Sequence, residues 1–226
     1  MPRVEHITPQ VLTEYYFVIE NPLDRLEFDS ERTPFDYLEF ARKDLEGEGE
    51  TRNIINAVGN AKRALHLQVD TICTAYGYKS KSRDFPPKLI FLRDLGIVAP
   101  KVIEKINKTR NRIEHDYYVP TIEEAYDFID IVELFLYATF AFVAVFPNET
   151  LLLIGDGNNE YEVEEETGLP MYIKFTVEKN KGKLSLYDSP AQVDQEEGLI
   201  LSVDVGQREY FEWIRKLFAQ IFFLPL

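Results

Sequence analysis

The 226-residue chain is 45% hydrophobic and 13% aromatic, with a single cysteine, Cys73, and a formal net charge of −14. Apolar content at that level excludes general disorder, and one cysteine excludes a disulfide framework and points to a reducing, cytoplasmic setting. So strong an acidic excess also disfavours a wholly basic nucleic-acid-coating protein, because phosphate contacts need cations.

In chain order, residues 1–29 read as an irregular or extended arm, with the β-favouring run Tyr15, Tyr16, Phe17, Val18, Ile19 ending at the break Asn21-Pro22. No basic stretch followed by an apolar one opens the sequence, so no secretory signal is expected. Asp29-Ser30 and Thr33-Pro34 offer an N-cap and a first-turn proline. They predict a helix to about residue 45, with Phe35, Leu38 and Ala41 on one face and Gly47 and Gly49 closing it. Thr51 opens a second, long helix in which Ile54, Val58, Ala61, Leu65, Val69, Ile72 and Cys73 recur at helical spacing before the stop at Gly77. A basic loop with Lys79, Lys81 and Arg83 leads to a short helix restarted by Pro86-Pro87 and broken by Gly96. Pro100 opens the next helix, through Val102, Ile103, Ile106 and Ile113, which must end before Pro120. Thr121-Ile122-Glu123-Glu124 is a capping-box start for the last and most apolar helix of the group. Its apolar stretch, residues 131–146, contains Glu133 and falls short of the roughly 20 residues a membrane span requires, so no membrane association is expected.

After Pro147 the period shortens to two, predicting strands at 151–154, 161–165, 172–177, 184–187 and 199–203. Gly155-Asp156-Gly157-Asn158-Asn159 reads as a hairpin turn, and the alternating acidic residues 160–166 as an edge strand facing water. A closing amphipathic helix at 207–223 carries Tyr210, Phe211, Ile214, Leu217, Phe218 and Ile221 on one side, suited to covering the sheet. The expected class is therefore α+β: an arm at 1–29, an antiparallel helical bundle at 30–147, and a small antiparallel sheet with a C-terminal helix at 148–226.

The charge is unevenly spread along these parts. Residues 1–50 hold 5 Lys/Arg against 13 Asp/Glu, a net of −8; residues 51–119 hold 13 against 6, a net of +7; residues 120–226 hold 7 against 20, a net of −13. The basic third contains Arg110-Asn111-Arg112-Ile113-Glu114-His115-Asp116-Tyr117. Those residues fit Arg-Asn-x3-His-x-Tyr, and in that form, on the helix before the last long helix, the segment resembles the Arg-x4-His-x-Tyr motif of the HEPN superfamily. The resemblance covers about residues 30–147. It implies a five-helix bundle, metal-independent RNA cleavage in a toxin or defence system, a composite site between two protomers of a homodimer, and a nucleotidyltransferase antitoxin as partner.

The residue types suit that chemistry. Internal attack by a 2′-hydroxyl needs a proton acceptor, a proton donor for the leaving 5′-oxygen and a fixed cation for the charge built up on phosphorus. His115 can move the proton near neutral pH, Arg110 can grip phosphate with two parallel donors, Asn111 can orient either, and Tyr117 can stack a base or donate to phosphate. Arg112, Lys108, Lys79, Lys81 and Arg83 are candidate RNA-backbone contacts. No cluster has metal-ligand spacing and no cofactor is expected. On an ideal helix Arg110 and His115 point about 140° apart, so their convergence requires either local distortion at the helix end or a dimer placing two motifs across one cleft, and the resemblance implies the second. The excess of Phe135, Phe140, Phe142 and Phe146 on the last helix points the same way, to a dimer. Three bland readings stand beside this one. Arg110 with Glu114 and Arg112 with Asp116 have i, i+4 spacing and also describe a solvated, ion-paired helix end; His66 reads as a surface or satisfied core histidine, and Cys73 as a small core residue. A non-catalytic HEPN module that binds nucleotide, RNA or a partner protein is the alternative function, and a plain dimeric scaffold is a third.

Overall fold

A computed structural model describes the chain apart from residues 1–6, 19–23, 47–49, 80–83, 98–104, 106, 107, 109, 110, 112–117, 155–168, 189–197 and 224–226. The fold is α+β, helices together with a five-stranded antiparallel sheet. The chain divides into two compact units: Leu26–Thr74 with Lys79–Ala144, and Met1–Arg25 with Ala75–Tyr78 and Val145–Leu226.

The first unit is helical. Helix α1 (Pro34–Leu45) opens on a reciprocal cap: the Thr33 hydroxyl accepts from the Asp36 N–H at 3.2 Å while the Asp36 carboxylate accepts from the Thr33 N–H at 2.7 Å. Two of the orphan donors at a helix start are thereby satisfied, and Pro34 needs no donor of its own. Helix α2 (Thr51–Ala75) buries Ala57, Val58, Ala61, Ala64, Leu65, Val69 and Ile72, the repeat expected from its spacing. Helix α3 (Phe85–Asp94) ends at Gly96, whose φ of +82° lets the Ile97 N–H reach back to the Leu92 carbonyl at 3.0 Å. Helix α4 (Ile122–Ala144) turns Ala125, Phe128, Ile129, Val132, Phe135, Leu136, Thr139, Phe142 and Val143 inward.

Polar links tie these helices at defined points. Gln68 of α2, only 1% exposed, donates to the Thr139 hydroxyl of α4 at 3.0 Å, and that hydroxyl donates to the Phe135 carbonyl at 2.8 Å. Arg42 of α1 pairs with Glu133 of α4, which explains the one carboxylate inside the apolar run. Lys88 of α3 pairs with Asp70 of α2 at 2.7 Å.

The second unit is built on the sheet, in the order β1 (Tyr15–Val18), β2 (Glu149–Ile154), β3 (Tyr172–Glu178), β4 (Lys183–Tyr187), β5 (Leu199–Asp204), all antiparallel. Tyr15–Val18, read from the sequence as part of an arm, is a strand of this sheet, paired with Leu151 to Ile154. Ile173, Phe175 and Val177 of β3 and Leu184 and Leu186 of β4 are buried at period two. Helix α5 (Arg208–Phe218), continued by a π-turn at Ala219–Phe223, buries Tyr210, Trp213, Ile214, Leu217 and Phe218. Trp213 meets Phe175 with ring centroids 6.0 Å apart, so the helix covers the Phe175 side of the sheet, as its amphipathic stripe required. Tyr76 joins this core against Phe146 and Phe218, and its carbonyl accepts from the Tyr210 hydroxyl at 3.0 Å.

The strand expected at 161–165, with its acidic edge, and most of the helix expected after Pro100 lie outside the described residues. Within the latter span, Lys105, Lys108 and Asn111 are helical. Among the described residues no helix is long and apolar enough to cross a membrane.

Candidate nucleic-acid interface

Lys108 and Asn111 stand exposed on a helix, with Lys105 one turn earlier, also exposed. Three residues apart in each step, three side chains on an ideal helix stay within one third of its circumference, the spacing of a shared face. Lys105 adds to the residues expected from sequence, and its spacing of three from Lys108 is the signal that identifies it. Two ammonium groups and an amide on one helical strip suit phosphate oxygens and sugar edges, which accept hydrogen bonds without regard to sequence. Lys79 is exposed, outside any helix or strand. Arg110, Arg112, His115 and Tyr117 lie outside the described residues, as do Lys81 and Arg83.

The chain leaving the motif is held to α4. The Tyr118 hydroxyl donates to the Glu124 carboxylate at 2.5 Å, and the same oxygen accepts from the Thr121 N–H at 3.0 Å. In return the Glu124 N–H donates to the Thr121 hydroxyl at 3.2 Å, completing the capping box foreseen in Thr121-Ile122-Glu123-Glu124. Glu123 and Glu124 in the first turn also complement the positive end of the helix dipole. One carboxylate thus caps α4 and holds the residue directly after the motif.

Cys73 belongs to the interior of the helical unit, and His66 is half-buried in the same unit. The imidazole of His66 lies flat on the Phe85 ring, centroids 4.2 Å apart and planes 5° apart. Cys73 is 1% exposed, its thiol directed at the Lys88 carbonyl at 3.6 Å. Burial pushes that thiol well up, and the nearby Asp70 carboxylate adds to the shift, so Cys73 is no nucleophile at neutral pH.

The four phenylalanines cited for a dimer do not share one fate. Phe135, Phe142 and Phe146 are buried at 1%, 3% and 0%, and Phe140 alone is 43% exposed. The apolar excess of the last helix is largely consumed inside the chain itself.

Among the described residues no three His, Cys, Asp or Glu side chains group as a metal site. No protein-family model, curated protein or solved structure matches this chain.

Proposed function

We propose that the protein is a metal-independent endoribonuclease of a toxin or defence system, cleaving RNA by attack of a 2′-hydroxyl at a site composed by two protomers. The observation that carries this reading is the sequence Arg110-Asn111-x3-His115-x-Tyr117 within the one basic third of an acidic chain. It is supported by the exposed helical strip of Lys105, Lys108 and Asn111, which presents cationic and amide groups to solvent beside the motif in sequence. In this reading His115 transfers the proton, Arg110 neutralises charge on the phosphorane, Asn111 orients one of them and Tyr117 stacks on a base. Lys105, Lys108, Arg112, Lys79, Lys81 and Arg83 hold the RNA backbone. The homodimer rests on the helical divergence of Arg110 and His115, which a second protomer resolves. The proposed toxin role brings with it a nucleotidyltransferase antitoxin as partner.

The test assays a labelled RNA in EDTA, with the ends of the products identified. Cleavage leaving 2′,3′-cyclic phosphate, reduced about 10²- to 10⁴-fold in His115→Ala with RNA affinity retained, supports the reading. Arg110→Ala should weaken both cleavage and binding. Wild-type protein that binds RNA but cleaves no better than His115→Ala leaves a non-catalytic binding module. Indifference of both activities to both substitutions leaves an ion-paired helix end.

A further inference from the structure

The outward face of α4 carries a second stripe, opposite the one that forms the core. Glu123, Asp127, Asp130, Leu134, Tyr137 and Ala141 are exposed and follow one another in alternating steps of four and three. That spacing keeps a seam aligned along a helix and is the spacing by which one helix receives another. The stripe is divided: its first three positions are carboxylates and its last three are apolar. Leu134 and Tyr137 are 65% and 63% exposed, the highest values among the exposed large hydrophobic side chains described. Phe35 of α1 widens the apolar half, its ring 5.2 Å from that of Tyr137 and 6.1 Å from that of Phe140.

Charge decides what fits. Helix α4 has five carboxylates and no lysine or arginine. Glu133 is paired with Arg42, whereas Glu123, Asp127 and Asp130 form no ion pair among the described residues. A nucleic acid or an anionic lipid surface would meet these carboxylates with like charge. A second copy of α4 would do the same if parallel, and if antiparallel would set carboxylates against Leu134 and Tyr137, at a desolvation cost with no compensating pair. A helix with an apolar half and a lysine- or arginine-rich half satisfies both parts of the stripe.

We propose that the outer face of α4 is the docking seam for a basic amphipathic helix of a partner protein. This stands apart from the ribonuclease reading and does not need it.

The probe is a fluorescein-labelled Leu/Lys helix of about 18 residues with leucines at four-three spacing, followed by anisotropy against the full chain, with a scrambled peptide of the same composition as control. The designed helix should bind saturably and the scrambled one should not. Leu134→Asp should weaken binding at least about tenfold. The sign of that result is decisive, because the substitution adds an anion and would tighten a purely electrostatic contact. Asp127→Asn combined with Asp130→Asn should weaken binding and flatten its salt dependence. Equal binding of the scrambled peptide, or unchanged or tighter binding by Leu134→Asp, overturns the proposal. So does a wild-type dimer by light scattering that Leu134→Asp converts to a monomer, since a second copy then occupies the seam. Leu134 is mostly exposed, so its substitution leaves the core intact, and circular dichroism of the variant verifies this.

Discussion

Gly77 and Gly182 approach each other closely in the sheet unit, and replacing either by alanine should destabilise that unit. Gly77 terminates α2 with φ +85°, and Gly182 sits in the β3–β4 turn with φ +68°. The β3–β4 turn is tied to the end of α2 by the Asn180 N–H donating to the Ala75 carbonyl at 2.9 Å, and to the segment after β5 by the Val205 N–H donating to the Gly182 carbonyl at 2.7 Å. A Cβ on Gly77 would lie 2.1 Å from the Gly182 Cα and 2.3 Å from its nitrogen. Contact between carbons begins at about 3.5 Å, so one backbone must move by more than an ångström. A left-handed alanine costs about 1–2 kcal/mol, and overpacking adds about 1–3 kcal/mol, giving a loss of about 2–5 kcal/mol for Gly77→Ala. On Gly182 the Cβ would meet the Val205 side chain at 2.9 Å and the Gly77 Cα at 3.0 Å, a milder conflict that should cost about 1–3 kcal/mol. Gly206→Ala is the control in the same unit, with nothing within 4 Å of its Cβ, and should stay within about 0.5 kcal/mol of wild type. Trp213 is the single tryptophan and is buried in this unit, so its fluorescence during urea unfolding reports the unit selectively. The midpoint should fall by about 1 M or more for Gly77→Ala. Equal midpoints for Gly77→Ala and Gly206→Ala would refute the close approach of the two turns.

Other expectations follow from single sites. Gly59 lies inside α2, and a Cβ there would meet only the Arg63 guanidinium, at 4.0 Å, so Gly59→Ala should raise stability by about 0.5–1 kcal/mol, read by circular dichroism at the helix band. Thr121→Ala removes half of the capping box of α4 and should cost about 1 kcal/mol in the same assay. The Lys181 hydrogen bond, with Lys183 beside it, holds the Glu178 carboxyl below its ordinary 4.5. A depressed carboxylate contributes stability above its unfolded pKa and loses it as pH falls through the folded one; the acid-side decline in stability below about pH 4.5 should therefore be shallower in Glu178→Gln. Cys73 should resist a thiol reagent such as DTNB in native protein and react fully in urea; rapid native labelling would contradict its burial.

The amino-acid sequence by itself determined whatever is local in origin. Apolar spacing placed α1, α2, α4 and the amphipathic α5, Pro86-Pro87 and Gly96 bounded α3, period-two alternation placed β2 to β5, and Thr121 with Glu124 announced a cap that the structure forms atom by atom. The motif of Arg110, Asn111, His115 and Tyr117 is legible in the same way, as residue types at a spacing, and so is Lys108, with Lys105 one helical turn before it. Trp213 belongs to the same α5 stripe, its position falling between Tyr210 and Leu217 on one face. What only the tertiary structure decided depends on partners far away in the chain. Tyr15–Val18 is a strand because β2, more than a hundred residues later, offers it a ladder of hydrogen bonds; alone, a run of Tyr and Phe describes an arm equally well. The α4 phenylalanines look alike in sequence, yet Phe135 and Phe142 enter the core while Phe140 stays half outside, because packing against other helices, not hydrophobicity, sets which face is inner. Gly77 was legible as a helix stop, but its second duty, giving room to Gly182, exists only once two turns separated by a hundred residues meet: local propensities act over a few residues, and close contacts between distant segments are set by the packing of the whole unit.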